Sequence, residues 1–160
     1  MNALPPLQNL LKIAAFTALT ATFTGMAFAA DMAEATPQFS VQSNATRSIR
    51  SGASAFEQGN FAKSVVFSKR ALKEGLKKSR KTVAYSNLCA GLGAQGAYDD
   101  AREACDSALK IAPQNWQAFS NRAVVNWLSG DKEQAAADFA SAQKLASDAP
   151  AITHNAQIFG

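Results

Sequence analysis

An all-α solenoid of three antiparallel helix hairpins is the fold the sequence predicts, and two observations carry it. Within 82–113, Tyr85, Leu88, Cys89 and Leu92 fall at helical spacing, Gly96 breaks the pattern, and Tyr98, Ala101, Cys105, Ala108 and Leu109 share a second face that Pro113 ends. Apolar residues at i, i+3, i+4 and i+7 on both sides of a glycine describe two amphipathic helices folded into a hairpin. The unit then recurs: Gly59, Gly96 and Gly130 are separated by 37 and then 34 residues. The same spacing relates Gly52, Cys89 and Ala123, then Ser64, Ala101 and Ala135, then Ala71, Ala108 and Ala142, and, near the start of each unit, Ser48, Tyr85 and Phe119. One hairpin cannot bury its own apolar faces, so a fixed period with small residues at matched places means stacked repeats.

Taken in order, the chain begins with a stretch of different character. Residues 1–12 carry one basic side chain, Lys12, and 13–28 is uncharged and rich in Ala, Phe, Thr and Leu. Ala27-Phe28-Ala29 then offers small residues flanking a larger one, the layout of a secretory signal peptide over 1–29 with cleavage after Ala29. The alternative is an uncleaved inner-membrane anchor, for which the apolar run is short against the ~20 residues a span needs. Cleavage places the mature protein in a periplasm or outside the cell. Residues 30–44, with Pro37 and scattered polar side chains, read as a flexible leader.

Three repeats follow at 45–81, 82–115 and 116–149. Asn44 is a candidate cap for a helix reaching about Gln58, Gly59-Asn60 turns the chain, and a second helix runs from Phe61 to about Leu76. Asn115 and Asp131 are candidate caps for the two helices of the last unit, and Pro150 marks the end of its second helix. The tail 150–160 holds Ile152, Ile158 and Phe159, enough apolar surface to fold back as a short cap over the last repeat. At 160 residues, 48% of them hydrophobic, the chain supports one modest core.

The period and the placing of small and aromatic residues resemble the tetratricopeptide repeat family across all three units. The central unit matches through Tyr85, Leu88, Gly96, Tyr98, Ala101, Ala108 and Pro113, and the third through Phe119, Ala123, Gly130, Ala135, Phe139 and Ala142, with Ser147 where proline is usual. The first unit departs, with Ser48 at the early aromatic position and three extra residues before the next unit. The resemblance implies a right-handed solenoid whose first helices line a concave groove for a peptide or a partner helix. Carried onto this chain, the groove residues are Ile49, Ala53, Phe56 and Glu57, then Val83, Ser86, Ala90 and Ala94, then Gln117, Ser120, Val124, Trp127 and Leu128, with Phe56 and Trp127 as large anchors. Packing between neighbouring helices is the competing role for Phe56. One branch of the family clamps a C-terminal carboxylate. Asn87 and Asn121 match its asparagines, but Ile49, Ala53 and Gln117 stand where charged or polar clamp residues belong, so chaperone-tail binding is not expected.

Charge divides the repeats. Residues 47–81 hold ten basic side chains, among them Lys69, Arg70, Lys73, Lys77, Lys78, Arg80 and Lys81, against Glu57 and Glu74. The two later repeats lean acidic, through residues such as Asp99, Asp100, Glu103, Asp106 and Asp138. Two solvated outer faces, one basic and one acidic, are one reading of this division. The functional readings are an acidic partner, an anionic membrane surface, or head-to-tail contact between copies. Export disfavours nucleic acid. Cys89 and Cys105 lie about equally far from the Gly96 turn on the two helices of the central hairpin. They either form a disulfide, favoured by an oxidising compartment, or remain two buried thiols.

Nothing points to catalysis. His154, the sole histidine, stands in the tail without a nucleophile or an orienting partner at any recognisable spacing. The glycines serve turns rather than a phosphate loop, and two cysteines with one histidine so placed make no zinc site. No cofactor or metal is expected. The expected function is an exported protein-binding scaffold, not an enzyme. The alternative is a self-associating envelope protein stacking through its terminal repeats.

Overall fold

The computed structural model describes residues 36–159, so the signal sequence expected over 1–29 lies outside the described residues. Among the described residues seven helices follow one another: α1 (Arg47–Glu57), α2 (Phe61–Leu72), α3 (Lys78–Ala94), α4 (Tyr98–Ile111), α5 (Trp116–Leu128), α6 (Lys132–Leu145) and α7 (Pro150–Phe159). They pair as hairpins α1–α2, α3–α4 and α5–α6, each packed on the next, and α7 lies on α6. The odd-numbered helices are therefore the first helix of each unit, and α7 begins a fourth unit that stops halfway.

Local chemistry sets most boundaries. The side chains of Asn60, Asn115 and Asp131 accept hydrogen bonds from the backbone N–H groups of Lys63, Ala118 and Gln134, at 3.0, 2.8 and 3.1 Å. Gly59, Gly96 and Gly130 turn the three hairpins with φ of 73°, 78° and 94°, a region that side chains with a Cβ resist. Three boundaries differ from the sequence expectation. Thr46, not Asn44, caps α1, its hydroxyl accepting from Ile49 N–H. α2 stops at Leu72 because the three extra residues form a turn through Gly75, and the second unit starts at Lys78. Pro150 opens α7 rather than closing α6, since its missing N–H costs nothing at the first helical position.

The core is built from small residues that let helices approach. Cys89, Ala101, Cys105 and Ala108 are fully buried between α3 and α4, and Cys89 and Cys105 form a disulfide there with Cα atoms 5.3 Å apart. A second cluster joins Ala123, Phe139 and Ala142 to Ile152 of α7, with Phe119 and Phe159 at its edge. Phe159 stacks on Phe139 at 4.9 Å between ring centroids. One polar contact is buried with them. Arg122 grips Asp138 with two hydrogen bonds, of 2.8 and 2.6 Å, and also reaches Asp106, while Asn126 donates to Asp138 at 3.0 Å. The Asp138 hydrogen bond, set against burial, holds the guanidinium pKa above its ordinary value.

Candidate functional site: an asparagine ladder

Three first helices each present an asparagine to the concave side, and the chain's own leader lies across them. Asn87 of α3, Asn121 of α5 and Asn155 of α7 follow at intervals of 34 residues, and all three side chains are buried. Each carboxamide is a two-pronged clamp on one residue of an extended segment. Its oxygen accepts from that residue's N–H and its nitrogen donates to the same residue's carbonyl. Asn155 holds Gln38 at 2.7 and 2.9 Å, Asn121 holds Ser40 at 2.8 and 2.9 Å, and Asn87 holds Gln42 at 2.9 and 2.8 Å. One repeat of the protein thus advances the occupant by two residues, the period of extended backbone. The segment runs against the order of the repeats, from α7 toward α3.

Both ends of the ladder continue the pattern in altered form. The place in α1 that corresponds to Asn87 is Arg50, whose Nη1 donates to the Ala45 carbonyl at 2.9 Å. At the other end His154 Nε2 lies 3.1 Å from the Thr36 carbonyl, within hydrogen-bond distance. Asn121 is fixed from behind as well, since its amide nitrogen reaches the Ser86 carbonyl and hydroxyl at 3.1 and 3.2 Å.

Between the clamped residues, side chains turn inward. Pro37 is buried and Phe39 half-buried. The Phe39 ring rests on Gly93, where an added Cβ would come within 2.6 Å of the ring and 2.9 Å of Val125. Phe56 meets Phe39 edge-on at 6.3 Å and 82°, backed by Phe61 at 5.0 Å. Phe56, Gly93 and Trp127 hold the same position in successive repeats. The middle repeat replaces an aromatic with a gap, and the leader supplies the ring.

The residues expected in the groove fall into distinct surroundings. Phe56 touches the occupant, and Ala94 borders the recess beside it with Glu57. Ser86 braces Asn121, while the Ser120 hydroxyl, one repeat later, is buried without a hydrogen-bond partner. Ile49 packs with Ala71 and Ala84, Val83 lies at the edge of that cluster, and Ala53, Ala90, Val124 and Gln117 are buried. Trp127 meets Phe159 edge-on at 5.1 Å, with Lys132 Nζ 3.3 Å from its ring centroid, and Leu128 is exposed. Lys69, Arg70, Lys73, Lys77, Lys78 and Arg80 face solvent, and Lys81 is half-buried.

The largest departure from the sequence reading concerns the leader. Within the leader expected over 30–44, residues 36–42 are not a free tether but occupy the groove, the asparagine ladder pairing the backbone groups of Gln38, Ser40 and Gln42. Two signals were available. Pro37, Phe39 and Val41 alternate with Gln38, Ser40 and Gln42, a strand-like pattern, and Asn155 continues the interval that separates Asn87 from Asn121. Each carboxamide presents one acceptor and one donor, the pair that matches the N–H and C=O of one residue of extended backbone. Among the described residues no group of three His, Cys, Asp or Glu side chains is placed to hold a metal, and no helix is long and apolar enough to cross a membrane.

No family model and no curated protein sequence matches the chain. Solved structures do. The chain is similar to the tetratricopeptide-repeat domain of Arabidopsis OM64, at TM-score 0.58 and 22% identity over 69% of this chain and 88% of that one. It is also similar to the second such domain of human RPAP3, solved by NMR in complex with the HSP70 peptide SGPTIEEVD, at TM-score 0.57 and 18% identity over 71% of this chain and 92% of that one. Its hairpins, their period and these likenesses agree: the chain has the tetratricopeptide-repeat fold.

Proposed function

We propose that this protein is a binding module that works outside the cytoplasm, as a scaffold or adaptor, and receives an extended segment of a partner protein in the groove formed by α1, α3, α5 and α7. The carrying observation is the ladder of Asn87, Asn121 and Asn155, each bonded to both backbone groups of alternate residues. Such clamps need N–H and C=O groups that are free to pair. An α-helix has already committed these groups along its length and advances only ~3 Å in two residues, so the ladder selects an extended partner over a helical one. The peptide complex of the RPAP3 domain supports the reading by fold likeness. The signal-like order of 1–29 and the Cys89–Cys105 disulfide support a periplasmic or secreted site of action. The exposed basic set on α2 and at the start of α3 adds salt-sensitive attraction for an acidic partner. The reading gives the chain no catalytic step.

Photo-crosslinking in cells tests it. In a chain whose leader is unseated by Ser40→Pro, a photoreactive phenylalanine derivative at position 56 is expected to link to an extended segment of another protein, with at least a tenfold loss when Asn121→Ala is added. Adducts confined to the chain's own leader, or insensitive to Asn121→Ala, overturn the reading.

A further inference from the structure

The groove's occupant describes the ligand the groove takes. A clamp that reads one N–H and one C=O accepts any residue but proline, so Gln38, Ser40 and Gln42 carry register and not selectivity. Selection falls to the side chains between them. Pro37 is buried, and Phe39 enters a seat floored by Gly93, walled by Val125 and closed by the edge of Phe56. Only a glycine floor admits that ring, so the seat is shaped for a flat aromatic side chain.

Resting on the groove reading above, we infer that residues 36–42 are a built-in ligand seated in cis, and that their pattern is the groove's recognition pattern. The partner that displaces them is an extended segment with apolar, aromatic and apolar side chains at alternate positions, its aromatic ring over Gly93. The leader fills the site incompletely. An open recess of about 410 Å³ remains beside Phe39, Val41 and Phe56, so a partner with a larger side chain than Val41 makes contacts the leader does not. The leader's advantage is its tether. Three residues, 43–45, separate Gln42 from the α1 cap Thr46, which sets a local concentration on the order of mM or above. A leader seated about 99% of the time weakens any added ligand about a hundredfold.

Fluorescence anisotropy on the full chain tests this with a labelled peptide of residues 36–43, TPQFSVQS, and the same peptide with its phenylalanine changed to alanine. Ser40→Pro removes the N–H that Asn121 accepts, and Phe39→Ala empties the Gly93 seat; circular dichroism reports whether each variant keeps its helices. Both variants are expected to bind TPQFSVQS at least tenfold more tightly than the wild type. The alanine peptide should bind each of them at least tenfold more weakly. Equal binding by wild type and folded variants overturns the built-in ligand while leaving the groove reading intact. Equal binding of the two peptides overturns the aromatic requirement. A wild-type dimer in light scattering that separates on Ser40→Pro also overturns seating in cis, because the occupant is then a second copy's leader. Absence of binding to both folded variants overturns this inference and the groove reading together.

Discussion

At the scale of single residues, the molecule uses polar side chains in two ways that sequence alone does not separate. Asn87, Asn121 and Asn155 are buried but aimed at another segment's backbone, whereas Arg122, Asp138 and Asn126 satisfy one another. The second group sits only in the last hairpin; its counterparts one repeat earlier are Leu88, Ala104 and Leu92. Arg122→Met leaves Asp138 buried without its cation, a loss of about 3 kcal/mol. Urea denaturation should show it as a lower midpoint at unchanged slope, and Arg122→Met with Asp138→Leu should recover part of it, Asn126 being left without its acceptor. A midpoint within error of wild type for Arg122→Met would mean the ion pair contributes nothing. The sequence sets Asn87 and Asn121 at the asparagine positions of a carboxylate clamp whose other members are missing, and it passes over Asn155, since the tail does not read as a repeat. Their spacing was visible. Their target was not, because a carboxamide that reads main chain leaves no mark in the sequence it reads.

At the scale of elements, α7 has two duties. It covers Phe139 and Ala142 with Ile152 and Phe159, and it carries the last rung of the ladder, Asn155. Deleting 150–160 exposes that cluster and should lower stability and promote association, seen by thermal unfolding and light scattering. Asn155→Ala should instead keep the helices and their melting temperature close to wild type while loosening the leader at Gln38, read as faster amide exchange there. If deletion leaves melting and mass unchanged, α7 is no cap. The helices themselves were legible: Gly59, Gly96 and Gly130 place every hairpin turn, and Asn115 and Asp131 cap where expected. The misplaced boundaries have physical causes. The insertion before α3 was absorbed by a turn at Gly75, and Pro150 opens a helix as readily as it closes one. The leader was the element least legible, because an alternation as short as that from Pro37 to Gln42 gains its partners only when the solenoid is assembled.

At the scale of the whole molecule, covalent structure and location constrain each other. Cys89 and Cys105 are bonded across the central hairpin, 16 residues apart, and such a bond persists in an oxidising compartment. The proposed site of action rests on the order of residues 1–29, one basic side chain, an uncharged apolar run and a small-residue site, which is the order expected of an export signal. If both readings hold, chain recovered from the cell envelope starts at Ala30 and, denatured without reductant, yields no free thiol. The same chain begun at Ala30 and produced in a reducing cytosol should yield two. Closing a loop of that length constrains the unfolded chain by about 3 kcal/mol, so the cytosolic form should unfold at a clearly lower denaturant concentration until it is oxidised. The ladder depends on this hairpin, because Asn87 lies two residues before Cys89 on α3. A reduced chain should therefore also release its leader more readily, with faster amide exchange at Gln42 than at Gln38. An envelope protein that retains residues 1–29, or that carries two free thiols, would break the link between export and the stapled hairpin.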